Sequence, residues 1–165
     1  MPDIRVKACA LAAAVVVLDR ITKWIVQTRV SPADTYSVIP GFFDIVHWEN
    51  RGVVFGFLDD SVSEWRTAIL IALSLVCAGL VGRFLWKTHR SLDRLSLFGF
   101  AMIAGGVAGN LLDRVVRGRV TDFLLFYIGQ YQWPAFNVAD SALSVGSGLV
   151  LLDLLLSRHK AANVS

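Results

Sequence analysis

Two aspartates, Asp122 and Asp140, lie eighteen residues apart in a part of the chain that is otherwise mostly apolar. A carboxylate near a membrane is costly, so it is a functional candidate unless another role explains it. Two carboxyl groups held close together favour sharing one proton, and such a pair can activate a water molecule. Asn137 or a neighbour is expected to cap the apolar helix that follows, which leaves Asp140 in its first turn. Asp140 could therefore also be a plain helix-capping acid. The residue types alone favour the functional pair.

Other polar residues gather at the level of this pair. In each of three apolar segments they follow helical spacing, so those of one segment share one face. A charge in lipid costs on the order of 2.5–3.5 kcal/mol, and we therefore expect the three faces to point at one another. The first segment contributes Asp19 and Lys23. The other two contribute Gly106, Asn110, Asp113 and Arg114, and Asn137, Asp140, Ser141, Ser144 and Gly148.

Simpler roles remain open for some of these residues. Asp19 and Lys23 have the i, i+4 spacing of an acid–base pair within one helix, which could account for both. Asp113 and Arg114 could form an ordinary charged helix end. The residue types do not decide between these roles and support of a site.

Three further features favour structural roles. Asp153 lies off the polar face of its segment. Gly105 and Gly109 predict a helix–helix contact, because small residues let two backbones approach closely. The histidines are scattered along the chain, so no metal site is predicted. They are His47, His89 and His159.

The composition indicates a membrane protein. Of the 165 residues, 55% are hydrophobic, above the roughly 45–50% of ordinary soluble domains. The net charge is +3, but the basic residues flank apolar runs, which fits anchoring to anionic lipid rather than binding to nucleic acid. Cys9 and Cys77 lie in separate apolar runs and are expected to be reduced, space-filling residues.

Four apolar segments are long enough to cross a bilayer, which takes ~20 residues. They are roughly 6–26, 65–86, 92–112 and 136–156, with outer connections at 27–64 and 113–135. We predict an all-α membrane protein with four transmembrane helices, in a single integral membrane domain covering residues 1–165. Basic residues at both chain ends and between the second and third segments place these regions in the cytoplasm. Arg114, Arg117 and Arg119 break this pattern and need another explanation.

The first outer connection is too long and too apolar to be a plain loop. Two β-like runs are separated by the turn signal Pro40-Gly41, and Asn50-Arg51-Gly52 makes a second break. These features predict a small β-like platform on the extracytoplasmic side of the membrane. Its aromatic residues would face lipid or a lipid-like ligand, or would serve only as an interfacial anchor. They are Phe42, Phe43, Trp48, Phe55 and Phe57.

Five blocks of the sequence resemble the lipoprotein signal peptidase (signal peptidase II) family of bacterial intramembrane aspartic proteases. They are DRITK at 19–23, NRGVVFGFL at 50–58, GGVAGNLLDR at 105–114, VTDF at 120–123 and FNVADSAL at 136–143. The third and fifth blocks are long and specific, while the first and fourth would be weak alone. The five blocks extend over nearly the whole chain, and their order and spacing argue against a chance match.

The resemblance implies a role for each matched position. The family's catalytic dyad falls on Asp122 and Asp140. Residues that line the site, contact substrate or support the dyad fall on Asp19, Lys23, Asn50, Gly52, Asn110, Asp113, Arg114 and Asn137. The chain departs from the family pattern at Arg20, where glutamine is usual, and at Val53 and Val54, where alanines are usual. The bulkier valines would narrow or reshape the substrate groove.

The resemblance also implies the reaction. Such an enzyme removes the signal peptide from diacylglyceryl-modified prolipoproteins, cutting just before the lipidated cysteine with a water that the dyad activates. It implies no cofactor and no metal. Its partners would be lipid-modified prolipoproteins and membrane lipids, and no nucleic acid. We expect a monomer in the bacterial cytoplasmic (inner) membrane, with both termini in the cytoplasm and the active site near the outer face.

Two other functional classes are less favoured. A small transporter would carry polar residues through the full thickness of the membrane, whereas the inner halves of these segments are nearly all apolar. A membrane scaffold would explain the apolar segments but not the costly acids.

Overall fold

The computed structural model describes the backbone of residues 4–51, 64–88 and 93–162; the side chains at 64, 66, 86–88 and 158–162 are not described. The described residues form four helices and four strands. The helices are α1 (Ile4–Arg29), α2 (Glu64–Thr88), α3 (Arg94–Arg117) and α4 (Val138–Ala162). The strands are β1 (Thr35–Ile39), β2 (Phe43–Asn50), β3 (Val120–Ile128) and β4 (Tyr131–Gln132). All four strands connect helices at the same end of the bundle, the site end; the opposite end is the far end.

Within the described ranges, three helices are long and apolar enough to cross a membrane. They cover Thr67–Leu85, Arg94–Arg117 and Val138–Ser157. α1 is 26 residues long, but Asp19, Arg20 and Lys23 interrupt its apolar character. The mostly helical architecture agrees with the sequence prediction, while composition alone identifies three of the four predicted spans.

Close approach of backbones holds α3 against its neighbours. A Cβ atom on Gly99 would lie 2.8 Å from the carbonyl oxygen of Gly146 in α4. A Cβ atom on Gly105 would lie equally close, at 2.8 Å, to the carbonyl oxygen of Ala12 in α1. Gly109 likewise faces both α1 and α4. The helix–helix contact predicted for Gly105 and Gly109 is therefore confirmed, and it joins α3 to two helices at once.

The strands form one antiparallel sheet in the order β1-β2-β3-β4. The predicted turn at Pro40-Gly41 joins β1 to β2, and the N–H of Phe42 donates to the carbonyl of Ile39 across it at 3.0 Å. Gly41 has φ 79°, which is the left-handed value that the third residue of a type II turn needs.

Two features of the predicted architecture are wrong. The platform is not confined to the first outer connection, because β3 and β4 come from the second one and β3 pairs directly with β2. The protein is therefore not all-α. The run VTDFLLFYI is rich in β-branched and aromatic residues that suit a half-buried strand. A short apolar run of this kind also suits an amphipathic helix, and hydrophobic periodicity does not separate a strand from a helix in so few residues.

The helix boundaries at the site end also differ from the predicted segments. α3 continues past 112 to Arg117, where Gly118 adopts φ 69° and donates its N–H to the carbonyl of Arg114 at 3.0 Å. This left-handed residue ends the helix and directs the chain into β3. α4 begins at Val138 rather than at 136, because Asn137 caps it.

Candidate active site

Asp122 lies in the part of β3 where the strand is irregular on both edges. It pairs with Trp48 of β2, and the register between the two strands shifts between Ile45 and Trp48. On the other edge, the N–H groups of Phe123 and Leu124 both donate to the carbonyl of Phe136, at 3.0 and 2.8 Å. Two donors on one carbonyl indicate a β-bulge, which bends a strand and redirects its side chains. The bulge lies next to Asp122 and the α4 entry.

Asp140 is held by the start of α4. Its N–H donates to the side-chain oxygen of Asn137 at 3.0 Å. In return the N–H of Asn137 donates to Asp140 Oδ2 at 3.3 Å. This reciprocal pair is a capping box, and the predicted capping by Asn137 is confirmed. Asp140 is therefore a helix-capping acid, and its other oxygen remains available for a further contact.

Three carboxamides bind the two aspartates. Asn137 Nδ2 donates to Asp122 Oδ1 at 2.7 Å, and Asn50 Nδ2 donates to Asp122 Oδ2 at 2.9 Å. Asn110 Nδ2 donates to Asp140 Oδ1 at 2.7 Å. Because Asn137 contacts both acids, it fixes the hairpin that carries Asp122 relative to the helix that carries Asp140.

Both aspartates line one cleft of about 540 Å³. Its polar lining also includes Asn50, Ser141 and Ser144. Asp122, Asp140, Ser141 and Ser144, which were predicted to gather at one level, therefore meet there with Asn50 at the end of β2. Its apolar lining includes Trp133, Phe136 and Val145. A cleft with acids and hydroxyls beside aromatic and aliphatic walls suits a ligand that has both polar and apolar parts.

Burial changes the acidity of Asp122, which is only 4% exposed. Desolvation raises its pKa from 3.8 to about 6, and the Asn50 hydrogen bond opposes this rise. The nearby Asp140 charge adds to the rise, while the hydrogen bond from Asn137 lowers the pKa. A carboxyl group that titrates near neutral pH is suited to acid–base chemistry.

Lys23 lies at the centre of a buried charge cluster behind the cleft. Its ammonium nitrogen is 2.7 Å from Asp19 Oδ2, 2.7 Å from Asp113 Oδ2 and 3.0 Å from Asn110 Oδ1. The side chains of Lys23, Asp19 and Asp113 are all fully buried. A buried charge is tolerated only with such partners, because removing one partner leaves the other uncompensated.

Asp19 connects this cluster to α4. Its second oxygen accepts the N–H of Ala139 at 3.0 Å, one of the backbone donors that a helix start leaves without a partner. The two roles that sequence left open for Asp19 are therefore compatible: it pairs with Lys23 in its own helix and also caps α4.

Arg20 contacts Asp113 Oδ1 through its Nη1 atom. The cluster thus contains two acids, Asp19 and Asp113, and two bases, Lys23 and Arg20, so its formal charges balance. Arg20 stands where the family that the sequence resembles usually has glutamine, and its charge is paired with that of Asp113. Asp113 is more than part of an ordinary charged helix end, because it is fully buried and forms ion pairs with both Arg20 and Lys23.

Glu49 on β2 organises a second polar cluster, which sequence reasoning missed. Arg117 Nη2 lies 3.3 Å from its carboxylate, Arg119 Nε lies 3.4 Å away, and His47 Nε2 lies 3.2 Å away. These pairs explain why two arginines of the second connection break the charge pattern. The ion pairs hold the end of α3 against the sheet that carries Asp122.

Thr121 joins this second cluster to α1. Its hydroxyl lies 2.7 Å from Gln27 Nε2, which donates to it, and 3.2 Å from Arg117 Nη1. Thr121 is fully buried and directly precedes Asp122. A threonine next to a matched aspartate was the only sequence signal for this contact, and it did not identify the distant partner.

The remaining predicted positions differ in what surrounds them. Arg114 is half-buried one turn beyond Asn110, and among the described residues its side chain makes no hydrogen bond or ion pair. Asp153 accepts a hydrogen bond from Ser96 of α3 at the far end, consistent with its predicted structural role. Gly52, Val53, Val54, Phe55 and Phe57 lie outside the described residues.

The aromatic residues of the platform pack chiefly against one another. Phe43 stacks on Phe126 with ring centroids 4.6 Å apart, and Phe126 in turn stacks on Phe136 at 5.7 Å. Phe42 meets Phe126 edge-on at 5.4 Å. Trp48, opposite Asp122, stays 44% exposed. The stack extends from the sheet to Phe136 in the cleft wall.

A family profile described as signal peptidase (SPase) II matches residues 11–156. A relative from Solibacter usitatus (strain Ellin6076), named lipoprotein signal peptidase, is 57% identical over 165 residues, which is 100% of both chains. The chain belongs to the signal peptidase II family. The resemblance inferred from the five sequence blocks is thereby confirmed.

Other members of the signal peptidase II family align almost as completely. The lipoprotein signal peptidase of Oleidesulfovibrio alaskensis is 43% identical over 91% of this chain and 94% of its own length. A solved bacterial membrane enzyme superposes with a TM-score of 0.79 and 29% identity, covering 92% of this chain and 89% of that chain. A second superposes at 0.78 with 28% identity, covering 90% and 92%. These neighbours indicate that this member of the signal peptidase II family is a bacterial membrane protein.

Proposed function

We propose that the protein is an intramembrane aspartic endopeptidase that removes the signal peptide from diacylglyceryl-modified prolipoproteins, cleaving just before the lipidated cysteine. One observation carries this proposal: Asp122 and Asp140 line the same cleft, and carboxamides bind both. Family membership supplies the substrate class. The mixed polar and apolar lining of the cleft supports it, because the substrate joins a peptide to acyl chains.

The reaction needs one aspartate ionised and the other protonated. The ionised aspartate takes a proton from a water held between the pair, and the water oxygen attacks the scissile carbonyl carbon. The protonated aspartate donates its proton to the carbonyl oxygen, giving a tetrahedral diol. As the C–N bond breaks, the acid formed in the first step gives its proton to the leaving amine, and one diol hydroxyl returns its proton to the other aspartate. The two carboxyl groups influence each other, because the charge of Asp140 raises the pKa of Asp122.

The surrounding residues then have supporting roles. Asn110 and Asn137 hold the dyad, and Asn50 contacts the substrate beside it. Gly52, which the family resemblance also assigns to substrate contact, lies outside the described residues. Arg114 is proposed to bind the peptide, since its half-buried guanidinium has no ion-pair partner among the described residues. Asp19, Lys23 and Asp113 form the buried base of the site. No cofactor and no metal enters this mechanism.

We further propose that α1 is a fourth transmembrane helix in a single integral membrane domain, residues 1–165, of a monomer. Two of the three charges that reduce its apolar character face protein rather than lipid, because Asp19 and Lys23 are fully buried. The third, Arg20, is 37% exposed but is paired with Asp113. The basic residues toward both ends of the sequence support this proposal, with both termini in the cytoplasm and the cleft near the outer face of the inner membrane. Membrane lipids and lipid-modified prolipoproteins are the partners, and nucleic acid is not.

Cleavage of a lipidated precursor in detergent micelles tests the dyad. Asp122→Asn and Asp140→Asn are each expected to lower the rate by at least about 1,000-fold, since each removes one half of the acid–base pair. Asp153→Asn is the matched control, because it changes an aspartate of α4 that lies at the far end. Near-normal cleavage by either dyad variant would rule out this mechanism. Equally fast cleavage of a precursor with an unmodified cysteine would rule out the substrate class.

A further inference from the structure

Lys23 determines which way the Asn110 side chain points. An ammonium group has three hydrogens and no lone pair, so the Asn110 atom that faces it at 3.0 Å must be the carbonyl oxygen. The amide nitrogen of Asn110 therefore faces Asp140 and donates to its Oδ1 atom at 2.7 Å. Asp19 of the same helix also accepts a hydrogen bond from the ammonium group, and Asp113 of α3 lies within ion-pair distance of it, so carboxylates on two helices hold it in place.

A different donor orients Asn137. The backbone N–H of Asp140 can only donate, so the side-chain oxygen of Asn137 faces it at 3.0 Å. Asn137 Nδ2 then points to Asp122 Oδ1 at 2.7 Å and to Asn110 Oδ1 at 3.2 Å. The two amides form one chain of hydrogen bonds, with Lys23 at one end and the dyad at the other.

We propose that Lys23 is a positioning residue for the cleavage reaction, which locks the Asn110 amide so that it donates to Asp140 and keeps Asp140 as the ionised member of the pair. This inference rests on the proposed function. Asp122 is then the member that holds the shared proton. Without the ammonium group, only the longer 3.2 Å contact from Asn137 Nδ2 holds the Asn110 oxygen. The Asn110 amide can then turn its oxygen toward Asp140, and two facing acceptors favour a proton between them.

The other charged groups around Asp140 fit this assignment. α1 brings Asp19, Arg20 and Lys23, and α3 brings Asp113, which together balance in charge. Arg114 of α3, one turn beyond Asn110, adds a positive charge that all the variants below leave unchanged. β3 brings Asp122, and β2 brings only the neutral Asn50 to the cleft. The start of α4 also favours negative charge on Asp140, because the N–H of Asn137 and the positive end of the helix dipole face its carboxylate. Burial raises the pKa of Asp122 to about 6, which agrees with its holding the proton.

The test is the pH dependence of kcat for a charge-balanced double variant, Asp19→Asn with Lys23→Met. It removes one buried acid and one buried base together, and the new asparagine keeps an oxygen for the N–H of Ala139. The acidic limb of the wild-type profile reports the pH at which the pair loses its ionised member. We expect this limb to move to higher pH by about one unit, with kcat near the old limb about tenfold lower and KM changed less than twofold. An unmoved limb overturns the proposal, whatever happens to the amount of folded protein.

Two companion variants keep the test decisive. Asp19→Asn alone keeps the ammonium group on Asn110, so its acidic limb should stay where the wild type has it. Asn110→Leu removes the amide while Lys23 keeps its two carboxylates, and it decides the matter if the double variant does not fold. Asn110→Leu must move the limb in the same direction, and an unmoved limb overturns the proposal equally. Absence of any cleavage by the wild type would instead contradict the proposed function.

Discussion

The two ends of α3 are held by different forces. At the far end Leu97 and Ala101 pack against Ala8 of α1, and Gly99 meets Gly146 of α4. At the site end buried charges and amides also hold the helix, in addition to the close packing at Gly106 and Gly109. A damaged apolar contact leaves a cavity or a clash, whereas a damaged charge cluster leaves an ion without a partner. We therefore expect the far end to control folding alone, and the site end to control folding and chemistry together.

The largest effect should come from Lys23→Met alone. It leaves Asp19 and Asp113 buried with only Arg20 to balance them, and such a loss typically costs about 3–5 kcal/mol. Unfolding by denaturant in detergent measures this, and the double variant with Asp19→Asn should recover most of the loss. A cost below about 1 kcal/mol would show that the cluster is hydrated rather than buried.

The next effect concerns the pH dependence of stability. Burial raises the pKa of Asp122 from 3.8 to about 6, so the folded protein binds this proton more tightly than the unfolded chain. This contribution to stability is present below about pH 4 and is lost as the pH rises through about 6. Asp122→Asn does not titrate. Its free energy of unfolding relative to wild type should therefore rise by up to about 3 kcal/mol between pH 4 and pH 7.

The free energy of unfolding of Asp122→Asn should rise by less than this if the new amide does not accept hydrogen bonds from both Asn50 and Asn137. A parallel measurement on Asp153→Asn, which changes an acid at the far end, provides the baseline. If the difference between Asp122→Asn and wild type is the same at both pH values, Asp122 does not carry the raised pKa. A stabilised but inactive variant would show that the site end gives up stability for chemistry.

One substitution made at both ends compares them directly. A Cβ atom would lie 2.8 Å from the Gly146 oxygen in Gly99→Ala, and 2.8 Å from Asp19 Oδ2 in Gly109→Ala. Both variants should lose about 1–3 kcal/mol of stability through overpacking. Only Gly109→Ala should also lower kcat of the folded fraction, because it displaces the carboxylate that caps α4. Equal kcat in the two variants would remove the distinction between the ends.

The smallest effect should come from Asp153→Asn. The substitution replaces a carboxylate that accepts from Ser96 with an amide that can still accept, so the cost should be about 0.5–1.5 kcal/mol or less. Cleavage by the folded protein should equal that of the wild type. A clear loss of kcat would mean that the far end influences the cleft, so that the far end would not control folding alone.

Much of the site could be predicted from sequence because its residues are polar where the chain is apolar. Asp122 and Asp140 stood out for their cost in a membrane, and helical spacing put Asn110 and Asp113 on one face. The meeting of these faces follows from the same energetics. The capping by Asn137 was predictable too, since it depends on residues three apart.

The rest depends on distant partners, which no local pattern specifies. Lys23 has a local partner in Asp19, and nothing in the sequence showed that Asp113 and Asn110 share it. Arg117 and Arg119 broke the positive-inside pattern, which counts basic residues without regard to their partners. Their shared partner, Glu49, is far away in sequence. β3 was missed for a different reason: a short apolar run suits a strand and an amphipathic helix equally well.

The contact between Asp19 and the N–H of Ala139 has a consequence for biosynthesis. α1 leaves the ribosome first and α4 last. In a bilayer no water is at hand to satisfy the open N–H groups at the start of α4, so this helix reaches its final position only when it docks on α1. Asp140 sits one residue beyond that docking point. We therefore expect a nascent chain to lack the assembled acid pair until its last helix is in place.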